Sequence, residues 1–222
     1  MSLPFFLKGR TYEKYVKRAV DIILSLIILT IFFPICLVTV IAIKLTSEGP
    51  VFADVPDRVG RNTNRIKMYK FRSMIMNAHE ALHTDPRFKE LFEEYKRQSY
   101  KLKEDPRVTK VGKFIRKHSI DEIPQFLNVL KGEMSIVGPR AYYADELKNQ
   151  QEKFPHTQPL VTKVLSTRPG ITGLWQVSGR SEINFDKRIA IDAHYVDTIS
   201  LIQDLEIMFK TPLIMLTGRG AV

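Results

Sequence analysis

An adjacent carboxylate pair, Asp121 and Glu122, stands between cations, with Arg116 and Lys117 before it and Arg140 after it. Carboxylates flanked by cations can bind a divalent metal, hold a phosphate or attack one. A structural reading competes. Ser119 and Glu122 have the spacing of a capping box, in which two side chains satisfy orphan amides at a helix start. Acids in a first turn are also favoured by the helix dipole. The two readings are compatible, because a helix N-terminus also receives phosphate.

Other residues could serve the same chemistry. Lys70 and Arg72 alternate with Tyr69 and Phe71, so a strand here would carry one basic and one aromatic face. That face is either a phosphate clamp or a solvated edge. Arg168 and Arg180 bracket a glycine-rich segment, where backbone amides can approach an anion closely. Neither GxxxxGK[ST] nor GxGxxG occurs, which excludes the P-loop and Rossmann readings. His79 and His83 are four apart but lack the HExxH context of a zinc site, so they read as a solvated helix face.

The elements that must position these groups start with an apolar run. Residues 22–43 carry no charge, between Asp21 and Lys44, which is long enough to cross a bilayer as a helix. Lys8, Arg10, Lys14, Lys17 and Arg18 precede it, and positive-inside reasoning keeps that end cytoplasmic. The chain behind it is basic as well. Pro34 sits mid-run, where it kinks or breaks a helix. The flanks and the proline leave a kinked crossing and a helix that enters and leaves on one face equally open. The net charge of +10 and pI of about 9.6 require an anionic partner: nucleic acid, anionic lipid or a phosphorylated substrate. One cysteine, Cys36, excludes a disulfide framework.

Beyond the apolar run, Val51-Phe52 and residues 66–72 read as short strands, with a basic turn at 57–62. Helices are expected over 78–103, 111–118, 123–130, 140–154, 185–200 and 201–216. Along the last of these and just before it, Ile199, Ile202, Leu205 and Phe209 form an apolar stripe, suited to core packing or to a bilayer interface.

The chain resembles the bacterial sugar transferases, monotopic phosphoglycosyl transferases that act on polyprenyl phosphate. The matching motifs run in the family's order: Gly49–Phe52, Arg58-Val-Gly-Arg61, Tyr69–Met74, Asp105–Arg116, Asp121–Gln125, Asn128–Ser135, Val137–Arg140 and Arg168–Arg180. They cover the chain from about residue 17 onward. The resemblance implies an α+β, mainly helical fold, with short strands and amphipathic interfacial helices. It implies a basic segment at 1–18, a re-entrant membrane helix at 19–46 broken at Pro34, and a catalytic domain at 47–222. The implied reaction moves a sugar-1-phosphate from a UDP-sugar to undecaprenyl phosphate, through a covalent intermediate on Asp121 and with release of UMP. Glu122 is implied as the acidic partner, with Asp121 and Glu122 both holding Mg²⁺. Lys70, Arg72, Arg116, Arg140, Arg168 and Arg180 are expected to contact phosphate or nucleotide.

The implied place is the cytoplasmic face of the bacterial inner membrane, with membrane lipid as a partner and self-association left open. Larger hexose-1-phosphate transferases are similar over 77–105 and 142–147, which favours galactose or glucose. Many of them carry extra membrane helices, so this chain resembles the minimal catalytic form. Two departures stand out. Phe33 precedes Pro34 where a small polar residue is common, and Ala141 follows Arg140 where proline is frequent. A nucleic-acid binder would use the basic surplus but leaves Asp121-Glu122 unexplained, so no nucleic-acid partner is expected. A non-catalytic scaffold would have no need to retain both acids.

Overall fold

The computed structural model describes residues 4–97, 102, 105–178 and 184–217. They belong to two compact units, one formed by Met1–Thr30, Asp57–Met68 and Gln125–Ala221, the other chiefly by Ile31–Pro56 and Tyr69–Pro124. The fold is α+β and mainly helical, with one long apolar helix and short strands.

That helix, α1, spans Lys17–Thr46 and contributes to both units. Its run of Ile, Leu and Val supplies no competing polar groups. The hydroxyls of Thr30, Thr39 and Thr46 bond back to the carbonyls of Leu26, Ile35 and Ala42, satisfying themselves within the helix. The backbone is helical through Pro34, where the sequence suggested a break. Pro34 still removes the amide that would reach the Thr30 carbonyl, and the two units divide between Thr30 and Ile31. Many of the apolar side chains of α1 are exposed, among them Ile23, Leu26, Phe33 and Val38. By length and composition α1 can cross or enter a membrane.

In the first unit, the polar start of α1 is an anchor. Arg18 donates to the carbonyls of Val129 (2.6 Å) and Leu130 (2.9 Å), capping helix α5, Gln125–Lys131. Asp21 accepts from Ser135 Oγ and the amide of Ile136. Lys17 and Asp204 form a buried ion pair, and the hydroxyls of Tyr12 and Tyr195 both donate to Asp204. Strands β1 (Arg58–Val59) and β2 (Arg65–Ile66) pair antiparallel. Tyr142–Tyr143, β4, adds to the other side of β1. Ser135–Val137, β3, runs parallel to Gly170–Thr172, β5. There Gly138 and Gly170 pass so closely that a Cβ on either would meet backbone of the other strand segment. The core gathers Tyr142, Leu147, Val161, Val164, Phe185, Ile189 and Ala193, from β4 and helices α6 (Ala144–Lys153), α7 (Gln158–Val164) and α9 (Phe185–Thr198). Helix α8 is Leu174–Ser178 and α10 is Leu201–Thr217. On α10, Ile202, Leu205, Phe209 and Leu213 are exposed while Ile207 is buried, so much of the stripe faces outward rather than into the core.

In the second unit, Ile43, Phe71 and Ile115 form a core with Cys36, Val40, Val51, Val111 and Ile120 around it. Two extended segments meet at a Phe52–Phe71 bridge, with the rings stacked at 5.8 Å. Helices α2 (Ala78–Thr84), α3 (Lys89–Arg97) and α4 (Lys110–Lys117) complete it.

Several boundaries differ from expectation. The expected helix over 78–103 is two helices among the described residues, because Pro86 holds Asp85 extended. The expected turn at 57–62 contains β1, and helix begins at Ala144 rather than 140, because Tyr142–Tyr143 is drawn into the sheet. Helix α7 was not anticipated.

Candidate active site

Asp121 and Glu122 lie in a short 3₁₀ turn, Ile120–Glu122, ahead of Pro124. The capping box does not form. Ser119 has φ 53° and makes no side-chain cap bond, so it accepts from none of the amides that a capping box requires. Ser119 is one of four non-glycine residues with positive φ among the described residues, a conformation that costs of the order of 1 kcal/mol. The carboxylate pair is thus presented by a tight turn, not by a helix cap.

The second unit brings four of the expected residues together. The Phe71 amide donates to the Asp121 carbonyl at 3.0 Å, tying the turn to the segment that carries Lys70. Lys70 Nζ pairs with Glu122 Oε1 at 2.6 Å. Asp121 is buried while Glu122 is partly open. Burial and the neighbouring Glu122 charge push the Asp121 carboxyl up to about 6, against the opposing pull of Lys70 and Arg116. A buried carboxylate with another acid beside it and two cations in reach is suited to nucleophilic attack on a phosphate. The pair also fits a magnesium ion, which takes one or two carboxylates and completes its shell with water and substrate phosphate. No cluster of three or more protein ligands occurs among the described residues.

Arg72 is placed differently from the expected basic face. It is buried, and its guanidinium donates to the carbonyls of Ser47 and Glu48 and to Ser47 Oγ. It closes the turn that follows α1.

Arg140 and Arg168 belong to the first unit. Arg140 lies 5.5 Å from the Trp175 ring and 4.0 Å from Glu146, and Arg188 is 3.8 Å from the same Glu146 oxygen. Burial alone would lower the Arg140 guanidinium, but Glu146, Tyr142, Tyr143 and Asp192 hold it above its usual value. Asp192 accepts from the Arg140 amide and the Tyr142 hydroxyl, and burial pushes it up to about 7. Sequence reasoning missed Glu146, Arg188 and Asp192. The four-residue spacing of Arg188 and Asp192 within α9 was the available signal. Arg168 Nε donates to the Gly132 carbonyl at 2.8 Å. Arg180 lies outside the described residues.

A family model for bacterial sugar transferases matches residues 12–218. The chain belongs to the bacterial sugar transferase family. It is 42% identical over 213 residues to an undecaprenyl-phosphate galactose phosphotransferase of Salmonella typhimurium, covering 94% of this chain and 42% of that protein. It is 38% identical over 204 residues to a UDP-glucose:undecaprenyl-phosphate glucose-1-phosphate transferase of Escherichia coli, covering 90% and 40%. An exopolysaccharide production protein, ExoY, of Rhizobium meliloti is 38% identical over 226 residues, covering 99% and 96%. The chain therefore spans about two-fifths of the first two relatives and nearly all of the third.

Proposed function

We propose that this bacterial sugar transferase moves a sugar-1-phosphate from a UDP-sugar to undecaprenyl phosphate, in a step that begins polysaccharide synthesis. The observation that carries the reading is Asp121, a buried carboxylate pushed up to about 6 by burial, beside a Glu122 already paired to Lys70. The named activities of the relatives support the two substrates.

In the first step an Asp121 oxygen attacks the β-phosphorus. The bond from that phosphorus to the bridging oxygen breaks, and UMP leaves with the electron pair. In the second step an oxygen of undecaprenyl phosphate attacks the same phosphorus and the Asp121 carboxylate departs, giving a diphosphate-linked sugar. Magnesium held by Asp121 and Glu122 would neutralise charge on the transferring phosphates. Lys70 orients Glu122, and Arg116 adds positive potential at Asp121. Arg140, 4.0 Å from Glu146, is assigned to phosphate or nucleotide of the UDP-sugar, together with Arg180.

The site is assigned to the cytoplasmic face of the inner membrane. The exposed apolar side chains of α1, the helix-interior Pro34 and the outward stripe of α10 support membrane residence. We assign α1 a re-entrant path, with Pro34 near its deepest point.

The test is UDP-sugar turnover with and without undecaprenyl phosphate. Without it, a burst of about one UMP per enzyme is expected, with a matching mass increase on the protein. Asp121→Asn should abolish both the burst and lipid labelling. Turnover that survives in this variant refutes the nucleophile. A panel of UDP-sugars assayed in this way identifies the sugar, with galactose and glucose first.

A further inference from the structure

We infer that the first unit contains a second anion site, built to hold a phosphate group in a cavity of about 470 Å³ lined by Arg61, Arg65, Lys131, Gly132, Glu133 and Arg168. The inference is independent of the chemistry assigned to Asp121.

The walls come from three places. Arg61 and Arg65 flank the β1–β2 connection, in which Asn62 and Thr63 both have positive φ. Lys131, Gly132 and Glu133 follow α5. Arg168 precedes β5. Four cations thus face one carboxylate. That carboxylate is engaged elsewhere, since Glu133 Oε2 accepts from Asn128 Nδ2 at 2.7 Å. Arg61, Arg65 and Arg168 form no ion pair among the described residues. Among the described residues Arg168 donates only through Nε, to the Gly132 carbonyl, which leaves the other edge of its guanidinium for a ligand. Arg18 stands beside Gly132 while capping α5. Burial, Arg61 and Arg18 together depress the Arg168 guanidinium, so the cavity is a region of concentrated positive potential.

Like charges held this close repel unless an anion sits among them. Guanidinium forks match phosphate oxygens in pairs, and a wall of four cations and one acid favours a doubly charged group over a carboxylate. The cavity has room for a diphosphate or for a phosphate head group with its attached glycerol. Arg18 also begins the apolar helix α1, so a phosphate here could be soluble or could belong to a lipid.

The experiment measures binding to the full chain in neutral detergent by calorimetry, with EDTA present. The probes are inorganic diphosphate, dihexanoyl phosphatidate below its micelle concentration, and dihexanoyl phosphatidylcholine as a head-group control. Arg61→Ala should weaken binding about tenfold, as for loss of one charge-assisted bond, and Arg61→Lys should recover part of it. Lys187→Ala removes an equal charge from the exposed face of α9 and should change nothing. Binding of diphosphate alone supports the site with a soluble source. Binding of phosphatidate alone supports it with a lipid source. Absence of both, binding equal to phosphatidylcholine, or equal loss in Lys187→Ala overturns the proposal in favour of diffuse surface charge. Asp121→Asn should bind like wild type while losing turnover, so the two readings fail separately.

Discussion

Asp121 is subject to opposing demands, since attack requires its charged form and burial disfavours it. With a carboxyl raised to about 6, the active carboxylate fraction grows as pH rises through 6 and saturates above it. The UMP release rate should therefore fall about tenfold per unit below pH 6. Removing the Glu122 charge should move that acid limb lower, so the residual activity of Glu122→Gln, measured across pH, should hold to a more acid value. Asp192 offers a stability counterpart. Its folded value of about 7 lies above the ordinary carboxyl range, so the folded chain binds more protons than the unfolded chain between about pH 4 and 7. Stability should decline as pH rises through that window and level off above 7. Asp192→Asn should flatten the dependence, as read from denaturation midpoints at several pH values. The pair Asp121-Glu122 was legible from its sequence neighbours. Its presentation was not, because Ser119 adopts a left-handed backbone that no residue type at that position announces.

At the scale of elements, close approach of backbones is the governing constraint. Gly170→Ala would drive a methyl group into Gly138 and Thr172, forcing β3 and β5 apart. Overpacking of this kind costs about 1–3 kcal/mol, and thermal melting should show it with Arg140 contacts loosened in the same variant. Gly112→Ala should be comparably harmful in the second unit, where its methyl would collide with the Ser73 carbonyl. Helix α1 was visible in the sequence through its unbroken apolar length, and α4 and α10 through apolar positions at helical spacing. Two-residue strands such as Arg58–Val59 have no period to display, and their identity rests on partners at Ile66 and Tyr143. For the same reason Arg72, alternating with aromatics, suggested a ligand face but closes a turn.

For the whole molecule, the re-entrant path makes a topological prediction. In a Cys36→Ser background, single cysteines placed at Lys8 and Lys187 should both resist an impermeant maleimide in intact spheroplasts and both react in inverted vesicles. Opposite labelling of the two would show a crossing instead. The division of the chain into two units that share α1 was hidden from the sequence, since three separate stretches build the first unit and only their pairing reveals it.

The buried Lys17–Asp204 pair also sets a timetable for biogenesis. Its partners are 187 residues apart, and at bacterial synthesis rates of about 5–20 residues per second the second emerges roughly 10–40 s after the first. During that interval an unpaired ammonium waits at the mouth of a helix already seeking the bilayer. Assembly of the first unit thus waits for α10 at its final step. Chains that stop before Asp204 should leave Lys17 without this partner, which makes α10 the lock on the anchored end of α1.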